Sequence, residues 1–346
     1  MAGDELYVVA SATWLPQRMS IEDAIAAGMC DQRTAMATGV SSVAIAGSEH
    51  APEMAARAAE SAMRRGGVQP DDVDVLLHAS FYYQGHDLWA PASYVQRRAM
   101  STATCPAISV GQVSNGGMAA LELARAYLLA DTTRSAALIT TGDKFCPPGF
   151  DRFRSDPGTV YADGGTAVVL GRTMGFARLL SLASVSAPDL EGMHRGDDPF
   201  GAAPFSHRST VDLDACKNAF LAGYTASMAT ARVRSSLRQV VKQALAAAEV
   251  TQADIDWFVV PHLGSRRLRT GYLGPLGIDE ERTTWDYSRA VGHLGAGDPF
   301  AGLDHLVASG RAGPGDHLML LGVGAGFTWS AAIIRIIDRP TWARGS

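Results

Sequence analysis

Paired cysteines are missing from this sequence. Its 346 residues include four, Cys30, Cys105, Cys146 and Cys216, and their spacing forms neither a disulfide framework nor a zinc-ligand set. Charge is sparse too: charged residues make up 19%, the net charge is −5, and no basic run or basic–aromatic interleaving occurs. That gives no reason to expect nucleic acid as a partner. No apolar run approaches membrane-spanning length. The opening residues through Tyr7 have neither a basic n-region nor an apolar core, so the expected setting is a soluble, reducing cytoplasm. Apolar residues (47%) and 36 glycines dominate instead, the composition of a well-filled α/β globule long enough for two halves.

Along the chain, alternation over Glu5 to Thr13 predicts a first strand, and Met19 to Ala46 reads as short helices and loops. An alanine-rich helix is expected from Pro52 to Arg65, then a strand from Val73 to Ala79. An aromatic loop, Tyr82 to Trp89, precedes a further helix and could line a pocket or pack in a dimer interface. Cys105 to Val113 reads as a buried strand running straight into an amphipathic helix that ends near Ala130. Strands are expected again at Ala136 to Thr141 and from Asp163 to Gly171.

The second half repeats the first. A helix from Arg234 to Leu245 leads through Asp254 into a strand from Ile255 to His262. In constant register, Asp72 falls on Asp254, Val73 on Ile255 and Asp74 on Asp256. A helix from Asp304 and a strand from His317 to Gly322 continue the match, and one period of this length is not a solenoid. The reading is α/β: two duplicated halves, 1–172 and 173–346, packed as one body with mixed sheets covered on both faces.

Ser114 stands where the strand from Cys105 meets its helix, followed by Asn115-Gly116-Gly117, which tolerate tight backbone geometry. A serine there is either an N-cap or a nucleophile presented where unpaired amides favour negative charge. Sites of duplicated α/β folds gather at the carboxyl ends of strands, and three further segments are candidates, two following strands and one a glycine-rich loop before the 300s helix. They are Pro261-His262, the Gly292-His293 to Asp298 loop, and Gly322 to Gly326. Together they offer a nucleophile, imidazoles, an orienting carboxylate and backbone amides for an oxyanion. Each has a plainer alternative: His262 as a bonded core histidine, His293 as a helix cap, Asp298 as an N-cap before Pro299. Gly322 to Gly326 opens a strand, which rules out a dinucleotide loop. His194, between Met193 and Arg195, has no nameable partner.

On these residues the chain resembles the ketoacyl-ACP synthase III branch of the thiolase fold, over nearly its full length. Val113-Ser114-Asn115-Gly116 aligns with that family's Ala-Cys-Ser-Gly turn. Pro261-His262-Leu263-Gly264-Ser265 matches its Pro-His-Gln-Ala-Asn signature, and Asp163-Gly164-Gly165 its Gly-Asp-Gly-Ala strand. Gly324-Ala325-Gly326-Phe327-Thr328-Trp329 matches the closing Gly-Gly-Gly-Phe-Thr-Trp motif, and Thr38-Gly39 the Arg-Thr-Gly segment. The resemblance implies a thiolase-like fold in a layered αβαβα arrangement, a homodimer and no permanently bound cofactor. Its implied acyl donor is coenzyme A or the phosphopantetheine of an acyl-carrier protein.

The departures redirect the chemistry. The nucleophile is serine, a weaker nucleophile than a thiol near neutral pH and dependent on a positioned base. His293 replaces the condensing asparagine, and His293 with Asp298 resembles a subgroup of antibiotic-pathway proteins on this fold. Some of those transfer acyl groups to hydroxyls; others select starter units for aromatic polyketides. The family's arginines near Thr-Gly fall on Ala37, Ser41 and Val43, which favours a carrier-protein donor, with Arg33 or Arg154 as candidate substitutes.

The expected function is a secondary-metabolism acyltransferase. Ser114 takes the acyl group, His293 is the base, Asp298 fixes its tautomer, and the amides of Ser114 and Ala325 hold the oxyanion. His262 assists by donating to a carbonyl or activating the acceptor, a hydroxyl or less readily an amine. The alternatives are a starter-selecting priming ketosynthase and a non-catalytic partner of a ketosynthase complex.

Overall fold

The computed structural model describes residues 5–343; Met1 to Asp4, part of the stretch read for a leader, lie outside it. The first half runs β1 (Leu6–Trp14), β2 (Arg18–Ser20), α1 (Ile21–Ala26), α2 (Gln32–Thr38), β3 (Ser42–Ala44), α3 (Ala51–Gly66) and β4 (Val73–Ala79). It continues through α4 (Pro91–Ala99), β5 (Ala107–Val110), α5 (Gly116–Leu129), β6 (Ala136–Asp143) and β7 (Gly164–Gly171). The second half runs β8 (Ala177–Ser186), α6 (Gly192–Arg195), α7 (Leu213–Gly223), α8 (Ala226–Ala248), β9 (Trp257–Val259) and α9 (Ser265–Leu268). It ends with α10 (Gly274–Leu276), α11 (Trp285–Ser288), α12 (Asp298–Ala308), β10 (His317–Gly324) and β11 (Thr328–Ile336).

Nine strands form one mixed sheet in the order β5-β4-β6-β7-β1-β8-β11-β10-β9, which reads symmetrically outward from the β1–β8 junction. That junction is short, pairing Leu6, Tyr7 and Val8 with Leu179, Arg178 and Ala177. Parallel β4–β6 answers parallel β9–β10, and antiparallel β6–β7 answers β10–β11. The repeat holds at single side chains. Asp72 and Asp254 each cap a 3-10 turn by accepting from Gln69 and Thr251 N–H. Asp74 accepts from Ser135 and Ala136 N–H, and Asp256 from His317 N–H, so each tethers the start of the neighbouring parallel strand.

The layers follow from which faces are apolar. α3, nearly all alanine and methionine inward, packs with α4 on the outer face of the first half, and α8 covers the second. Between the halves lie α5 and α12, whose Met118, Leu121, Leu128, Phe300 and Leu306 merge with strand residues of both halves into one core. Each fully buried side chain of this size contributes about 1.5–3 kcal/mol relative to exposure. This is the αβαβα layering of the thiolase fold.

Three expectations need correction. The stretch from Cys105 to Val113 is not a buried strand: only Ala107–Val110 is extended, it sits at the sheet edge, and Ile108 is 46% exposed. A short apolar run reads the same at a sheet edge as in the sheet interior, so hydrophobicity overstated burial. The strand expected over Ile255 to His262 is confined to Trp257–Val259, because the chain must leave the sheet to deliver Val260 to Leu263 to the site. The helix expected from Asp304 begins at Asp298, with Pro299 in its first turn, where a missing N–H costs nothing.

Candidate active site

Ser114 is not a helix cap. It lies in a 3-10 turn, Val113–Asn115, and α5 begins at Gly116 with Asn115 in the cap position. The backbone strain of this turn sits on Val113, whose φ of +53° is costly for a β-branched residue, not on the glycines that follow. Gly117 serves close packing: a Cβ there would lie 2.5 Å from the Ala296 carbonyl oxygen. Gly324 does the same from the other side, since its Cβ would meet the Gln112 carbonyl oxygen at 2.3 Å. Backbone thus closes on backbone around the serine.

His293 comes from the loop between α11 and α12. Its N–H donates to Val160 and its carbonyl accepts from Ala162, a short parallel bridge that pins it beside the first half. His293 Nδ1 lies 2.6 Å from Asp298 Oδ2, and its Nε2 lies 2.8 Å from Ser114 Oγ. A carboxylate can only accept, so Nδ1 carries the proton and Nε2 offers a lone pair to the serine hydroxyl. Burial by itself would pull the His293 pKa down, but the charge and hydrogen bond of Asp298, with help from Asp156 and Asp143, hold it above the usual imidazole value. Burial likewise opposes ionisation of Asp298. The two histidines and backbone donation nonetheless hold it below the usual carboxylate range. His262 and Leu294 donate their N–H groups to Asp298 at 2.8 Å each, at the start of α12 where the helix dipole favours negative charge.

His262 is placed differently from His293. Its Nδ1 donates to the Gly292 carbonyl at 2.9 Å, and its Nε2 has no hydrogen-bond partner among the described residues. Burial pushes its pKa down, so the ring is neutral and Nε2 carries a lone pair with no proton to give a carbonyl. Gly292 immediately precedes His293, so His262 grips both the loop that carries His293 and, through its N–H, the Asp298 carboxylate behind it.

Ser114, His293 and Ala325 share the wall of a cavity of about 290 Å³, whose apolar side includes Val323, Phe327 and Trp329. Arg33 is exposed and Arg154 pairs with Asp151 at the surface; neither lines this cavity. Its basic residues are Lys217 and Arg267, which sequence reasoning missed. Arg267 grips Asp156 with two bonds of 2.8 Å and also donates to Thr159. Tyr161 donates to Asp156 and lays its ring edge-on to His293, with centroids 4.9 Å apart. No spacing signal could have found this set, because Asp156 and Arg267 are 111 positions apart. His194, without a partner on the sequence, lines the cavity and meets Phe327 edge-to-face at 5.4 Å. The aromatic loop divides: Tyr82, like Phe81 before it, packs inward on Phe145, whereas Tyr83 and Leu88 are exposed.

Comparison with known proteins agrees with this architecture. Residues 245–336 match the family model described as 3-oxoacyl-[acyl-carrier-protein] synthase III C terminal. A beta-ketoacyl-[acyl-carrier-protein] synthase III of Hyphomonas neptunium is 27% identical, the match covering 96% of this chain and 100% of the relative. The solved structure of ChlB3, an acyltransferase, superposes with a TM-score of 0.92 and 34% identity over 98% of this chain and 99% of its own. A 3-oxoacyl-[acyl-carrier-protein] synthase III from Aquifex aeolicus shares the fold, with a TM-score of 0.76 and 19% identity over 95% of this chain and 99% of that one.

Proposed function

We propose that this chain, which belongs to the ketoacyl-ACP synthase III-like enzymes of the thiolase fold, is a secondary-metabolism acyltransferase working through an acyl-Ser114 intermediate. The observation that carries the reading is the line Ser114 Oγ, His293 Nε2, His293 Nδ1, Asp298, with contacts of 2.8 and 2.6 Å, at the wall of a cavity. A hydroxyl becomes a competent nucleophile when a base held by a third group takes its proton, and that arrangement supports a serine here.

In the first half-reaction Ser114 Oγ attacks the thioester carbonyl while its proton passes to His293 Nε2. Asp298 stabilises the imidazolium that forms. The oxyanion is held by the amides of Ser114 and Ala325, the carbon–sulfur bond breaks, and the thiol leaves with the proton from His293. In the second, an acceptor hydroxyl (or amine) gives its proton to His293 and attacks the acyl-serine. The carbon–Oγ bond breaks and Ser114 recovers its proton. The donor is an acyl-carrier protein or acyl-CoA, and no permanently bound cofactor takes part. His262 acts as a positioning residue. The enzyme is a homodimer, a reading supported by the exposed Ile108 on edge strand β5.

Incubation with a panel of acyl-CoA and acyl-carrier thioesters tests this by intact mass. The expected result is a stable mass increase that Ser114→Ala abolishes, with His293→Ala losing acylation more severely than His262→Ala. An equal adduct on Ser114→Ala would refute the reading, and the reverse order of the histidines would move the base to His262. Release of the acyl group onto malonyl-carrier protein, not a hydroxyl, would mark the priming-ketosynthase alternative.

A further inference from the structure

One residue lining the cavity in front of Ser114 carries a buried hydroxyl that no described residue satisfies. Tyr272 is 4% exposed, lines the same cavity as Ser114 and His293, and its hydroxyl has no hydrogen-bond partner. An unpaired buried hydroxyl is costly, and a ligand that pairs with it removes the cost. Burial, with the Asp298 charge adding to it, pushes this phenol well above the usual tyrosine value, so it remains a protonated donor.

The backbone around Tyr272 points the same way independently. It lies in a π-helical turn, Arg269–Leu273, between α9 and α10. Such turns are rare and concentrate at functional sites. Thr270, Gly271 and Tyr272, three consecutive residues of the turn, all line the cavity. A Cβ built on Gly271 would meet nothing within 4 Å, so the wall beside the phenol is open. The apolar side chains of Val323, Phe327 and Trp329 also line the cavity.

We propose that this π-helical turn is the specificity wall for the transferred acyl group, and that the Tyr272 hydroxyl donates a hydrogen bond to an oxygen substituent on that group. The substrate class is then a compact acyl thioester bearing a hydroxyl or carbonyl beyond its thioester carbonyl, not an unsubstituted fatty acyl chain. The inference rests on the acyl-serine reading: Ser114 lines the same cavity, so an acyl group on its Oγ extends into it. A volume of about 290 Å³ keeps the group compact.

The test measures Ser114 acylation, by thiol release and intact mass, with donors in matched pairs. Each pair shares a carbon skeleton, straight-chain or ring-bearing, with and without one oxygen substituent, presented on N-acetylcysteamine and on carrier protein. The wild type is expected to favour the oxygenated member of its best pair by about 10- to 100-fold in kcat/KM. Tyr272→Phe, which keeps the ring and its packing, is expected to bring that ratio to within about threefold of one. Gly271→Val narrows the open wall but leaves the hydroxyl; it is expected to shift the best skeleton to a smaller one while the oxygen preference persists. Indifference of the wild type to oxygen in every pair, or an unchanged ratio in Tyr272→Phe, overturns the inference and leaves the acyl-serine reading standing. No adduct from any donor overturns both.

Discussion

His293 is drawn in opposite directions by burial and by Asp298, and the carboxylate prevails. A base must be neutral to take the serine proton, so Ser114 acylation should fall as the pH drops through this raised pKa. Asp298→Asn removes the charge that stabilises the imidazolium, so the pKa of His293 falls and the acid limb of the profile moves to lower pH. The same variant loses at least about 100-fold in rate near neutrality, because nothing then fixes the tautomer. Single-turnover thiol release against pH checks both effects; a limb that moves upward would mean Asp298 does not set the base. At this scale the sequence was partly legible. Ser114, His293 and Asp298 stood out because glycines and a proline punctuate their turns. Tyr161, Asp156, Arg267 and Tyr272 did not, since nothing in their own neighbourhoods marks them and their partners are remote in sequence.

At the scale of elements, the end of β6 holds the site together. Asp143 accepts N–H bonds from Phe81 and Tyr82 on one oxygen and from Ala296 on the other, tying the aromatic loop to the loop that follows His293. Burial pushes its carboxyl up to about 7 against the pull of these amides and of His293. Asp143→Ala leaves three backbone donors unpaired in the interior, and an expected loss of about 3 kcal/mol or more follows from roughly 1–3 kcal/mol for each. Urea unfolding should show it as a lowered midpoint, and acylation should slow because His293 loses its fixed approach to Ser114. An unchanged midpoint would show that these bonds are replaced by water. Helices α3 and α8 were readable because each follows a helical period, and strand β4 because its short apolar run is bounded by a turn. β5 and β9 were misjudged because short apolar runs have no period to separate an edge strand, or the start of a site loop, from a buried strand.

For the whole molecule, symmetry about the β1–β8 junction leaves β5 at one end of the sheet with Ile108 exposed, and the proposed homodimer would cover that edge. Ile108→Glu should therefore shift wild-type protein sedimenting at twice the mass of one chain toward monomer, since a charge on a covered edge is desolvated without a partner. A wild type that sediments as a monomer, or a variant that still dimerises, would place the interface elsewhere. The duplication itself was visible in one dimension: Asp72 and Asp254 make equivalent local bonds three residues back, which leave a fixed spacing in sequence, and Asp74 and Asp256 two positions on make equivalent bonds to the next parallel strand. The α/β class was read in the same way, by periodicity and turn chemistry acting over short stretches, and the thiolase-like fold followed from the motif resemblance. Only the tertiary structure decided that Ser114 bonds to an imidazole 179 positions away rather than capping a helix. Only it decided that His262 braces that imidazole, and that Tyr272 and the Asp156–Arg267 pair wall the same cavity. Those relations depend on how the two halves close on α5 and α12, and contacts made by packing remote segments leave no spacing for a sequence to record.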